Sequence, residues 1–86
     1  LQILKNYPNN DLLITGHTAL AGTKESRAKL SKQRAESTAD YLLKLGVKDS
    51  YHIFTQGLGA EQPIDTNSTE EGKRRNRRVE ITILDK

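Results

Sequence analysis

The sequence contains no cysteine, no methionine and no tryptophan, one phenylalanine (Phe54) and two histidines, His17 and His52. Without cysteine, disulfides contribute nothing and thiolate metal ligands are excluded. The two histidines do not stand in a metal-ligand spacing such as HxxxH. Ser31 and Ser37 have no evident base beside them. Catalysis, a metal and a cofactor are therefore not expected. Apolar residues make up 34% of the chain, low for a domain that must bury its own core. A chain of 86 residues buries roughly 60–65% of its unfolded surface, so its core is thin. No run is long and apolar enough to span a membrane.

Positive charge is what the chain concentrates. Net charge is +3, yet Lys73, Arg74, Arg75, Arg77 and Arg78 fall together and the remainder is slightly acidic. Such a cluster attracts phosphates or carboxylates, or is simply solvated. Nucleic-acid binders interleave aromatics or present a basic helix. Neither is seen here, and no nucleic-acid partner is expected.

The pattern of elements follows from periodicity. Residues 1–7 read as the last turns of a helix, ended by Pro8-Asn9-Asn10. Residues 11–17 form an apolar run of strand length, and Ala19–Gly22 a loop. Residues 24–45 form one long helix with Thr23 as N-cap and Gly46 as its stop. Leu30, Ala35, Thr38, Leu42 and Leu45 share its apolar face, with Arg34 at the margin. Residues 51–56 alternate as a strand until Gly57, Gly59 and Pro63 break it. Ser68 with Glu71 makes a capping-box pattern for a short helix. Arg78–Ile83 alternate as a final strand. Strand, helix, strand implies a crossover, and hence an α/β (α+β) fold with a mixed parallel and antiparallel sheet and helices packed on one face. The opening residues read as a helix end, so 1–86 is expected to be a single domain, incomplete at its N-terminal side.

Several short motifs stand in order along this framework: Gly16-His17-Thr18, then Leu30-Ser31 with Arg34-Ala35, Gly46-Val47, Gly57-Leu58-Gly59 with Pro63, and Asn76-Arg77-Arg78-Val79-Glu80. Together they resemble the peptidoglycan-binding domain of the OmpA/Pal/MotB family, over about four-fifths of the chain. The resemblance implies an OmpA-like fold of βαβαβ type whose first strand lies outside this sequence. It also implies a larger envelope protein, located in the periplasm and associated with the outer membrane. Its expected partners are peptidoglycan and other envelope proteins, with no membrane insertion by this segment.

In the family, an aspartate and an arginine clamp the diamino acid of the peptidoglycan stem, one charge for its ammonium and one for its carboxylate. Arg34 matches the arginine, whose planar fork suits a carboxylate. Helical periodicity alone reads Arg34 first as a stabilising contact to a carbonyl or a glutamate. The aspartate position is Ala19, and a methyl group accepts no hydrogen bond. Loss of a charged hydrogen bond, about 1.5–3 kcal/mol, weakens binding about tenfold to a hundredfold. Arg27 stands where the family usually has asparagine. It is either a second cation for carboxylates or a solvent-facing arginine on the first turn. The resemblance places Arg77 along the same groove. It leaves Thr18 and the backbone up to Gly22 as hydrogen-bond donors to ligand, and it gives Asn76 and Leu30 structural roles. Strand alternation turns Arg78 to the opposite face. His17 is expected to pack at a strand end, and His52 to be exposed. Two functions stay open: non-covalent wall binding through an altered or weakened clamp, and a degenerate structural or protein-interaction domain that no longer binds peptidoglycan.

Overall fold

The computed structural model describes residues 10–46 and 52–84. The expected helix end at 1–7 lies outside them. In chain order the elements are β1 (Asp11–Gly16), α1 (Lys24–Lys44), β2 (Ile53–Gly57), α2 (Glu70–Asn76) and β3 (Val79–Leu84). The three strands form one sheet in the order β2-β1-β3. β1 runs parallel to β2 and antiparallel to β3, so the sheet is mixed, and α1 is the crossover that the parallel pair requires.

β1 is the centre of this sheet. Leu12 and Ile14 point to the side covered by α1, and both are fully buried. They pack with Ala35, Ala39 and Leu42 of α1, and Ile53, Val79 and Ile83 close the margins of this core. Each fully buried aliphatic side chain stabilises the fold by about 1.5–3 kcal/mol. The other side of the sheet carries Leu13, Phe54 and Thr82 in cross-strand register.

The buried stripe of α1 differs from the one periodicity predicts. It runs through Ser31, Ala35, Ala39 and Leu42, whereas Leu30 and Leu45 are 43% and 46% exposed. Small residues win this face because the helix comes very close to the strand ends. A Cβ added to Gly16 would lie 1.9 Å from the Ser31 carbonyl oxygen, and one added to Gly57 would lie 2.4 Å from the Lys32 nitrogen. Gly57 therefore ends β2 opposite Gly16 rather than breaking the strand before it. Lys32, on the expected polar face, reaches back over this edge and donates to Thr55 O and Oγ1, both at 2.8 Å.

Both helices start on threonine. Thr23 Oγ1 accepts from Ser26 N at 3.0 Å and Ser26 Oγ from Thr23 N at 3.1 Å, a reciprocal cap with serine in the role usually taken by glutamate. α1 ends at Lys44, and Gly46 follows with φ 70°. For α2 the cap is Thr69, whose hydroxyl accepts from Gly72 N at 3.0 Å. The Ser68–Glu71 pattern is thus displaced by one residue, and Ser68 N instead donates to Thr66 Oγ1. α1 is the helix that covers the sheet; α2 is tied to the loop before it, chiefly through Asn76.

Candidate binding cleft

Three hydrogen bonds build the floor of a cleft at the C-terminal end of β1. His17 N donates to Arg78 O and Thr18 N to Gly59 O, both at 2.8 Å, while Leu58 N donates to Gly16 O at 3.1 Å. The segment after β1 is thus held on both sides, by the entry to β3 and by the Gly57-Leu58-Gly59 turn. That turn is fastened to α1 in its own right. Ser31 Oγ donates to Ala28 O and accepts from Gly59 N, each at 2.9 Å, so a fully buried hydroxyl has both of its roles filled.

Thr18, Ala19, Ala21, Ser26, Arg27, Leu30, Arg34 and Arg77 line a cleft of about 190 Å³. Five of the expected ligand-binding residues converge here. Gly22, the sixth, lies at the rim with φ 70°, and its carbonyl accepts from Arg27 Nη1 at 2.8 Å. This bond folds Arg27 back onto the loop at the surface, where the residue stays partly exposed. Ala21, Ser26 and Leu30 join the wall without having been expected as ligand contacts. Leu30 could have been found from its place one turn ahead of Arg34, on the same margin of α1. A second cleft of about 270 Å³, lined among others by Leu20, Lys24, Gly59 and Glu61, meets the first at Arg27.

Arg34 is half-buried, and its Nη1 donates to His17 O at 3.0 Å. Its acceptor is a neutral carbonyl, and among the described residues no ion pair involves Arg34 or Arg27. Arg77 differs: its Nη2 pairs with Glu70 Oε1 at 2.7 Å, and this bond and the arginine's charge hold the Glu70 carboxyl below its ordinary pKa. Arg78 is turned away from the cleft and bonds Glu80 Oε2 at 3.0 Å and Gln62 O at 2.9 Å. The Arg78 hydrogen bond is the main cause of the lowered pKa of Glu80. Arg75 pairs with Asp65, whose carboxyl is lowered first by the Thr66 backbone N–H and then by Arg75. Three arginines of the basic run thus spend their charge on nearby carboxylates.

Behind the cleft the polar groups are unequally satisfied. His17 is 1% exposed, with Nε2 3.1 Å from Glu80 Oε1. His17 Nδ1 and Thr18 Oγ1 are buried and have no partner among the described residues. The side chain of His52 is 37% exposed, and its Nδ1 lies 2.7 Å from Asp11 Oδ1. Asn76 is fully buried. Its Oδ1 accepts from Ile64 N and Asp65 N, and its Nδ2 donates to Asp65 O and Asn67 Oδ1, all within 2.8–3.0 Å. Asn67 Oδ1 also accepts from Leu20 N at 3.1 Å, so the α2 side of the molecule steadies the loop that carries Ala19.

A three-stranded mixed sheet under one long crossover helix, with a cationic cleft where the central strand ends, defines a small α/β binding domain. The chain belongs to the OmpA family, whose model matches residues 1–77. It is 48% identical over 81 residues to the probable lipoprotein YiaD of Escherichia coli, covering 94% of this chain and 36% of that protein. It is 45% identical over 80 residues to the peptidoglycan-binding protein ArfA of Mycobacterium tuberculosis, covering 93% of this chain and 24% of that protein. This chain therefore spans only a minor part of the length of these relatives. Among solved structures it superposes on the peptidoglycan-associated lipoprotein from Burkholderia pseudomallei with a TM-score of 0.87 at 31% identity, covering 96% of this chain and 70% of the other. The fold is also that of the C-terminal domain of Helicobacter pylori MotB, with a TM-score of 0.88 at 24% identity, covering 99% and 66%.

Proposed function

We propose that this domain binds bacterial peptidoglycan non-covalently and anchors an envelope protein, periplasmic and outer-membrane associated, to the cell wall. The observation that carries the reading is the state of Arg34: a half-buried guanidinium, bonded to a neutral carbonyl, lining an open cleft. A partly desolvated cation of this kind calls for an anion, and a stem-peptide carboxylate matches its fork. Arg27 extends the same cationic wall, Arg77 lines it while paired with Glu70, and Thr18 adds a hydroxyl without a partner among the described residues. The names of ArfA and of the peptidoglycan-associated lipoprotein support the ligand class, and so does a similar structure, the cell-wall anchor of the type VI secretion apparatus from Pseudomonas aeruginosa (33% identity, TM-score 0.79, covering 99% of this chain and 63% of that one). The names of relatives such as the outer membrane protein A of Bordetella avium support the location.

Co-sedimentation with purified sacculi tests the proposal. The domain is expected to sediment with them, and Arg34→Ala to lower the affinity about tenfold or more. A second reading is favoured by one feature, the Ala19 methyl in the cleft wall: the domain is a scaffold that has lost wall binding. Failure of the native chain to sediment, with recovery in Ala19→Asp, would select that reading.

A further inference from the structure

We infer that the cleft prefers a stem peptide whose diamino-acid side-chain amine is acylated, as in a cross-link, over one whose amine is free. The inference rests on the wall-binding reading and concerns which chemical form of the stem is taken. Three of the eight lining residues are arginines and none is a carboxylate. Glu70 balances Arg77. Arg27 and Arg34 spend one N–H each on the neutral carbonyls of Gly22 and His17, which leaves both without an ion pair among the described residues and their other donors available.

Two such charges in a cleft of about 190 Å³ favour carboxylates and oppose an ammonium, which would lose water, meet no carboxylate among the lining residues and be repelled by both guanidiniums. Specificity of this kind comes from the repulsive element as much as from the attractive one. The rest of the wall agrees, since Ala19, Ala21 and Leu30 offer methyl and isobutyl groups. Acylation turns the amine into a neutral amide, removes the repulsion and adds apolar surface suited to that wall. The carboxylate on the same carbon stays available to Arg34 or Arg27.

Calorimetric titration of the domain with two soluble muropeptides tests this. One is a disaccharide tripeptide carrying diaminopimelate with its side-chain amine free, the other the same compound N-acetylated at that amine. The acetylated form is expected to bind at least tenfold tighter. Arg27→Gln should narrow the difference, and Ala19→Asp should reverse it by giving the ammonium a partner. Thermal melts show whether each variant folds, and if Ala19→Asp does not, Arg27→Gln still decides. Tight binding of both forms without preference, or preference for the free amine, overturns the inference and leaves wall binding standing. Binding of neither overturns both.

Discussion

Arg34 and Asn76 show how one residue type after another in this chain is settled by its acceptors. The guanidinium of Arg34 keeps its charge because its hydrogen-bond acceptor is the neutral His17 carbonyl and no carboxylate among the described residues pairs with it. Asn76 does the opposite and spends its whole amide inside the protein. No other side chain of that size both accepts from two backbone N–H groups and donates twice from one planar group. Asn76→Ala is expected to destabilise the domain by about 2–4 kcal/mol, since a buried N–H left without a partner costs about 1–3 kcal/mol. Urea denaturation measures the loss, and a change below 1 kcal/mol would show that water replaces the amide. Asn76→Asp should not rescue it, because both Nδ2 donors vanish and a charge is buried.

Among the elements, β1 and α1 hold most of the information. Their contact is close because glycine stands where the helix crosses the strand end. Gly16→Ala pushes a methyl into the Ser31 carbonyl, and overpacking of this kind costs about 3 kcal/mol. The thermal midpoint should fall, and because Ser31 also holds Gly59 and the cleft floor, sacculus binding should fall with it. A variant with unchanged melting temperature would contradict the close approach. The motif Leu30-Ser31-Lys32-Gln33-Arg34-Ala35 divides its work along one turn and a half of helix. Leu30 walls the cleft, Ser31 pins the turn, Arg34 supplies the charge and Ala35 packs on the sheet.

For the molecule as a whole, three carboxylates shape the acid side of the pH response. Asp65, Glu70 and Glu80 all have folded-state pKa values below the ordinary range, owing to hydrogen bonds from the Thr66 backbone N–H and Arg75, from Arg77 and from Arg78. A carboxyl lowered in the folded state binds fewer protons there than in the unfolded chain. Its stabilisation is therefore present above the unfolded value, about pH 4, and is lost as pH falls through the folded one. The contribution of these three carboxyls to the denaturation midpoint is expected to be constant above about pH 5 and to decline below about pH 4. Added salt should shrink the decline, because these pairs are exposed and screened. A decline beginning near neutrality would point elsewhere.

The order of elements, the Thr23 cap and the mixed sheet were legible from residues alone, because apolar periodicity and turn chemistry are local. The convergence of Thr18, Ala19, Arg27, Arg34 and Arg77 on one cleft was not legible in that way: periodicity alone reads Arg34 as a structural contact, and only the family resemblance set these residues together. The stripe of α1 was not legible in this way, since hydropathy favours Leu30 and Leu45 whereas helix-to-sheet distance favours Ser31, Ala35 and Ala39. Nor was the division of the arginines into paired and unpaired ones. Glu70, Glu80 and Asp65 lie near in sequence to Arg77, Arg78 and Arg75, but which carboxylate meets which guanidinium depends on how α2 and β3 sit beside the loop at 61–69. Local chemistry thus chose the parts of this domain by itself, while the positions of charge, exposure and empty space came only with tertiary packing, because those quantities depend on how whole elements sit against one another.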